Sequence, residues 1–169
     1  MAPRSDRSYR IEYWLVRGVG AFFSVIPYRC ALGFAWLLGK LLYALAGKRR
    51  REAARRVRLV FGDSMPEREV RRVCWVSFRN TMFNAVEMMR IRKFALDDMH
   101  KMIPSLRDTM HAVRALLART DGRGILLALP HMGNWDLAGS ACHLSGVPIF
   151  SVAGKQRNPY MNGLINRQR

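Results

Sequence analysis

The chain has 169 residues, half of them hydrophobic, with 29 Lys and Arg against 12 Asp and Glu and a formal charge of +17. Such apolar content excludes a disordered polybasic tail, and three cysteines without C-x-x-C spacing exclude a disulfide framework or a zinc ribbon and point to a reducing compartment. A surplus of this size needs an anionic partner, either nucleic acid or an anionic membrane surface.

Residues 1–62 carry 13 basic and 3 acidic side chains, and they are also the most apolar part of the chain. Tyr13 to Ile26 is broken only by Arg17, and Cys30 to Gly47 holds Lys40 as its one charge. These runs predict two helices that turn near Pro27. Lys48, Arg49, Arg50, Arg51, Arg55, Arg56 and Arg58 follow directly, opposed only by Glu52. An apolar helix running into a basic block is the pattern of a segment that meets an anionic bilayer. Nucleic acid is disfavoured as the partner, because the cations sit beside apolar helices and no nucleic-acid motif occurs. Arg4, Arg7 and Arg10 place charge on the other flank too, which favours a dip into one leaflet or a hairpin over a single crossing. A pair of buried core helices is the alternative. A signal peptide fits poorly, since Arg17, Pro27 and Arg29 interrupt the apolar stretch.

The second part of the chain starts at residue 63 with a long helix, and from residue 99 the texture changes to short apolar runs separated by a helix. Asp63-Ser64-Met65-Pro66-Glu67 marks a helix start, with Ser64 as N-cap and Glu67 completing a capping box. The helix extends to about Met89, with Val70, Val73, Cys74, Phe78, Met82, Val86 and Met89 on one face. Leu106, Met110, Val113, Leu116 and Leu117 form the stripe of a second helix ending at Thr120, before the turn residues Asp121-Gly122-Arg123-Gly124. Ile125 to Leu129 is an apolar run of strand length, a helix starts at Asn134-Trp135 and ends near Leu144, and Val147 to Val152 reads as another strand. The expected fold class is therefore α/β, with membrane-associated helices over 1–62 and an α/β domain over 63–169.

The end of the first expected strand carries the chemistry, in Pro130-His131-Met132-Gly133-Asn134-Trp135-Asp136. On an unbroken helix His131 and Asp136 would not meet, but a turn at Gly133-Asn134 lets them. A carboxylate that accepts from one imidazole nitrogen fixes the tautomer and leaves the other nitrogen as a general base for a hydroxyl. The spacing alone leaves a structural histidine open. Beyond Asp136 the chain has four basic residues and no acidic one.

Gly124 to Gly139 resembles the His-four-residues-acid motif of the lysophospholipid acyltransferase superfamily and, more narrowly, that of the bacterial lipid A biosynthesis lauroyl/myristoyl acyltransferases. Gly154 to Arg169 is similar to the Asn-Pro segment of the same family with its downstream arginine, here Asn158-Pro159 and Arg169. The arginine block leading into Leu59-Val60-Phe61, and Ser77-Phe78-Arg79-Asn80, follow the family's order. Members continue beyond the second motif, so the resemblance implies the N-terminal half of such an enzyme, with a truncated αβα acyltransferase-type sheet. It implies an enzyme on the cytoplasmic face of the inner membrane that moves a fatty acyl group from an acyl-carrier-protein or coenzyme A thioester to a hydroxyl of a lipid A-type glycolipid. His131 would be the base and Asp136 its orienting partner, while Asn134, Lys155, Arg157, Asn158 and Arg169 would bind substrate, the cations facing phosphate. No metal or cofactor is implied, and Cys142 becomes a small helix residue rather than a nucleophile. Gly154 stands where many relatives carry an arginine, with Lys155 beside it. His100, His111 and His143 match no motif position and read as structural or surface residues. The alternative is a catalytically incomplete, membrane-associated fragment of such an enzyme.

Overall fold

A computed structural model describes residues 5–130, 132–152 and 154–168. They form helices α1 (Asp6–Val25), α2 (Tyr28–Leu45), α3 (Gly47–Phe61), α4 (Glu67–Arg90), α5 (Leu96–Met102), α6 (Leu106–Ala118), α7 (Trp135–Leu144) and α8 (Pro159–Gln168), with a 3-10 turn at Ile91–Lys93. The chain divides into two compact units, one of residues 22–87 and one combining 1–21 with 88–169.

In the 22–87 unit the break between α1 and α2 falls at Pro27, which has φ −54° and stands at the N-cap of α2. Proline presets this φ and lacks the N–H that a helix start leaves unpaired anyway. Small residues stand four apart at Ala31, Ala35 and Gly39 of α2, and all three are buried. That stripe lets Val86 and Met82 of α4 come close; a Cβ on Gly39 would stand 3.2 Å from Met82 Cγ. The opposite face stays open, with Leu37 61% and Leu45 76% exposed. No single helix among the described residues is long and apolar enough to cross a membrane; α2 and α3 reach that measure only as a pair, bent by 91°. The bend separates the two compositions, since α2 carries the apolar side chains and α3 the arginines. α4 opens at Glu67, where the Pro66 carbonyl accepts from the N–H groups of Glu69 and Val70. The expected Ser64 cap therefore sits in the turn ahead of the helix. Glu67 pairs with Arg58 of α3 and with Arg71, placing a carboxylate where the helix dipole favours it.

The other unit has a core of Met99, Leu106, Met110, Leu137, Ala141 and Val147, drawn from α5, α6, α7 and the segment after α7. The stripe expected on α6 is present, with Leu106 and Met110 buried and Val113 and Leu117 packed against the core. Leu116 faces outward, and the helix ends at Ala118 before a turn with φ +48° at Asp121 and +79° at Gly122.

The α/β class and its truncated αβα sheet are not what forms. Helix takes up 74% of the described residues, and there is no strand or sheet among them. Residues 125–129 and 147–152 run as irregular backbone without a ladder, and Leu126 and Phe150 are fully exposed. A continuous apolar run signals a demand for burial, but a strand exists only when a neighbour takes up its N–H and C=O groups. Each run here lacks that neighbour among the described residues, and only Val147 reaches the helical core.

Candidate active site

The segment singled out for chemistry enters α7. Gly133 adopts φ +64°, a left-handed conformation that glycine reaches without penalty, so the chain turns sharply there. Asn134 follows as the N-cap, and its side-chain oxygen accepts from the Leu137 N–H at 3.1 Å. Leu137 and Ala141, one helical turn apart, bury themselves in the core and fix the rotation of α7. Asp136 is thereby placed half-buried in the first turn, where unpaired N–H groups and the helix dipole favour a carboxylate. His131 lies outside the described residues, as does Arg169. A Met132 N–H to Pro130 O bond of 2.8 Å draws together the residues on either side of position 131.

Of the expected substrate-binding residues, Asn134 is thus engaged in capping, and Lys155 and Arg157 are exposed. Asn158 is buried to 5% exposure and fully occupied. Its Oδ1 accepts from Tyr160 N at 3.0 Å and Met161 N at 3.3 Å, capping α8, whose first residue is Pro159. Its Nδ2 donates to the Tyr9 carbonyl at 3.0 Å and to Glu12 Oε2 at 3.1 Å. The Tyr160 hydroxyl donates to Asp6 Oδ1 at 3.0 Å and accepts from Arg10 Nε at 3.1 Å. That hydroxyl raises the pKa of Arg10 further above its ordinary value. The Asn-Pro segment is therefore stapled to the first two turns of α1. Sequence reasoning missed Tyr9, Glu12 and Tyr160, because the bonds join residues about 150 positions apart and leave no local pattern.

Cys142 sits half-buried on α7, and burial pushes its thiol above the ordinary range, which suits a packing residue and not a nucleophile. Among the described residues no three His, Cys, Asp or Glu side chains gather closely enough to hold a metal ion.

The class is that of the acyltransferases. The sequence model of the family described as bacterial lipid A biosynthesis acyltransferase matches residues 2–169, and the chain belongs to that family. No curated protein and no solved structure matches it at a significant level.

Proposed function

We infer that the chain transfers a fatty acyl group from a thioester of acyl carrier protein, or of coenzyme A, to a hydroxyl of a lipid A-type glycolipid at the cytoplasmic face of the inner membrane. Family membership over residues 2–169 carries this reading. The turn at Gly133 and the cap at Asn134, which bring Asp136 into the first turn of α7, support the assignment of roles. His131 removes the proton from the acceptor hydroxyl, and Asp136 holds the imidazole and stabilises its charged form. The oxygen attacks the thioester carbonyl, the C–O ester bond forms, the C–S bond breaks, and the departing thiolate takes the proton back from the imidazolium. Lys155, Arg157 and Arg169 supply positive charge for phosphate groups of acceptor or donor.

A second reading, a membrane-associated module without turnover, is favoured by one observation. The stretch on either side of position 131 is open, with Leu127 55% and Met132 73% exposed, whereas transfer in place of hydrolysis needs water excluded. One assay separates the two. In detergent the chain is expected to move radiolabelled acyl groups from acyl carrier protein to a lipid A precursor, and His131→Ala to lower the rate by about two to four orders of magnitude. An inactive starting chain leaves the module, and an active His131→Ala variant removes the base assignment.

A further inference from the structure

Between α3 and α4 lies a cavity of about 670 Å³ that plays no part in the motif segment. Its walls come from one face of each helix. Lys48, Arg49, Ala53, Arg56 and Val57 recur at four-residue spacing on α3, so they share a side, and Val73 faces them from α4. The floor is apolar and the rim cationic. Glu52 also lines the cavity, but its charge is already taken: Arg55 donates to it at 2.9 and 2.8 Å and Arg56 at 2.9 Å. Those hydrogen bonds hold its carboxyl down at about 2, so it stays ionised and paired across the physiological range. Lys48 and Arg49 are exposed and make no ion pair with any described residue. The rim therefore retains positive charge that the fold does not neutralise.

The geometry points to this cavity as a binding site for one bilayer phospholipid, its phosphate held by Lys48 and Arg49 and the first carbons of its chains lying on Ala53, Val57 and Val73. A phosphate ion alone would use the rim and leave the floor, whereas an acidic protein surface would have no group to place on three apolar side chains in a cleft. The 91° bend from α2 into α3 supplies the placement. With the open apolar face of α2 entering a leaflet, α3 runs along the surface at the depth of the headgroups, where basic side chains gain most from anionic lipid.

The inference rests on the placement at the inner membrane in the proposed function, and on nothing else in it. Its test needs no acyl donor or acceptor, so failure here and failure of acyl transfer are separate results. The full chain in a neutral detergent is titrated with dioctanoyl phosphatidylglycerol by calorimetry. Saturable binding at one site is expected, weakened about tenfold or more when Lys48 and Arg49 are both changed to Ser. Ala53→Trp, which fills the cleft and leaves every charge in place, is expected to weaken it as much. Val73→Glu, which sets a carboxylate against the phosphate, is the second variant should Ala53→Trp unfold, and circular dichroism reports the folding of each. Unchanged affinity in the cleft variant that folds overturns the site and reduces it to surface charge. Displacement of the lipid by inorganic phosphate or by acyl carrier protein at similar concentration overturns it in favour of a plain anion site or a protein-docking site.

Discussion

Asn158 and Asn134 are the same residue type in two motif segments, and each caps a helix. Asn134 bonds three residues ahead; the helix start at Asn134-Trp135 is legible in the sequence, but the residue itself is expected there to bind substrate and not to cap. Asn158 does more, since its amide donates to Tyr9 and Glu12, 149 and 146 positions away. No local pattern announces such partners. Asn158→Ala removes four bonds from a buried position, and it is expected to cost about 1–3 kcal/mol. Thermal unfolding in detergent reads the loss, and hydrogen exchange should show the first turns of α1 opening. Asn158→Asp keeps the acceptor that caps α8 but sets a second carboxylate against Glu12. It should lower the melting temperature even though the cap is kept, because two like charges then face each other. A melting temperature unchanged in both variants would mean that the staple contributes nothing.

Elements reproduce the sequence reading most closely where one stripe of side chains decides their packing. The turn at Pro27, the long helix ending at Arg90 and the stripe of α6 follow from periodicity and the proline break, although the expected Ser64 cap does not form. The sequence does not show that α3 leaves α2 at 91°, because a bend depends on contacts across helices and not on spacing within one. On the proposed membrane placement, the bend would let α2 present Leu37, Leu41 and Leu45, one turn apart and all more than half exposed, without drawing the arginines of α3 into the apolar layer. We expect the chain to sediment with vesicles containing phosphatidylglycerol. Replacing those three leucines by serine should abolish most of that binding and leave helicity intact, because none of them is part of the seam that Ala31, Ala35 and Gly39 make with α4. Added salt should weaken binding of the unchanged chain only in part, since charge is screened over about 8–10 Å but apolar contact is not. Retention of the triple variant on vesicles at low salt, together with complete release by salt, would show that the arginines act alone and that α2 stays out of the leaflet.

At the scale of the molecule, charge and composition raise the expectation of an anionic partner, while the sheet expected from two apolar runs does not form. Residues 125–129 and 147–152 have the composition of buried strands, yet in this fold their backbone finds no ladder and side chains such as Leu126 and Phe150 point to solvent. The helices meanwhile complete their own cores, in one unit around Met99 and Leu106 and in the other around Ala31 and Val86. Helices can do so because their hydrogen bonds close within the segment, whereas a strand must borrow its partner. The consequence is measurable. Amides of residues 125–129 and 149–152 should exchange with solvent orders of magnitude faster than those in the middle of α6 and α7, since protection follows hydrogen bonding and burial. Far-ultraviolet circular dichroism of the same sample should show a helical spectrum matching the 74% of described residues in helix. Slow exchange in both apolar runs at once would establish a ladder between them and overturn the all-helical description. Slow exchange only after anionic vesicles are added would place those runs against lipid, and the exposed apolar residues before position 131 would then lie where a hydrophobic acyl chain can reach them.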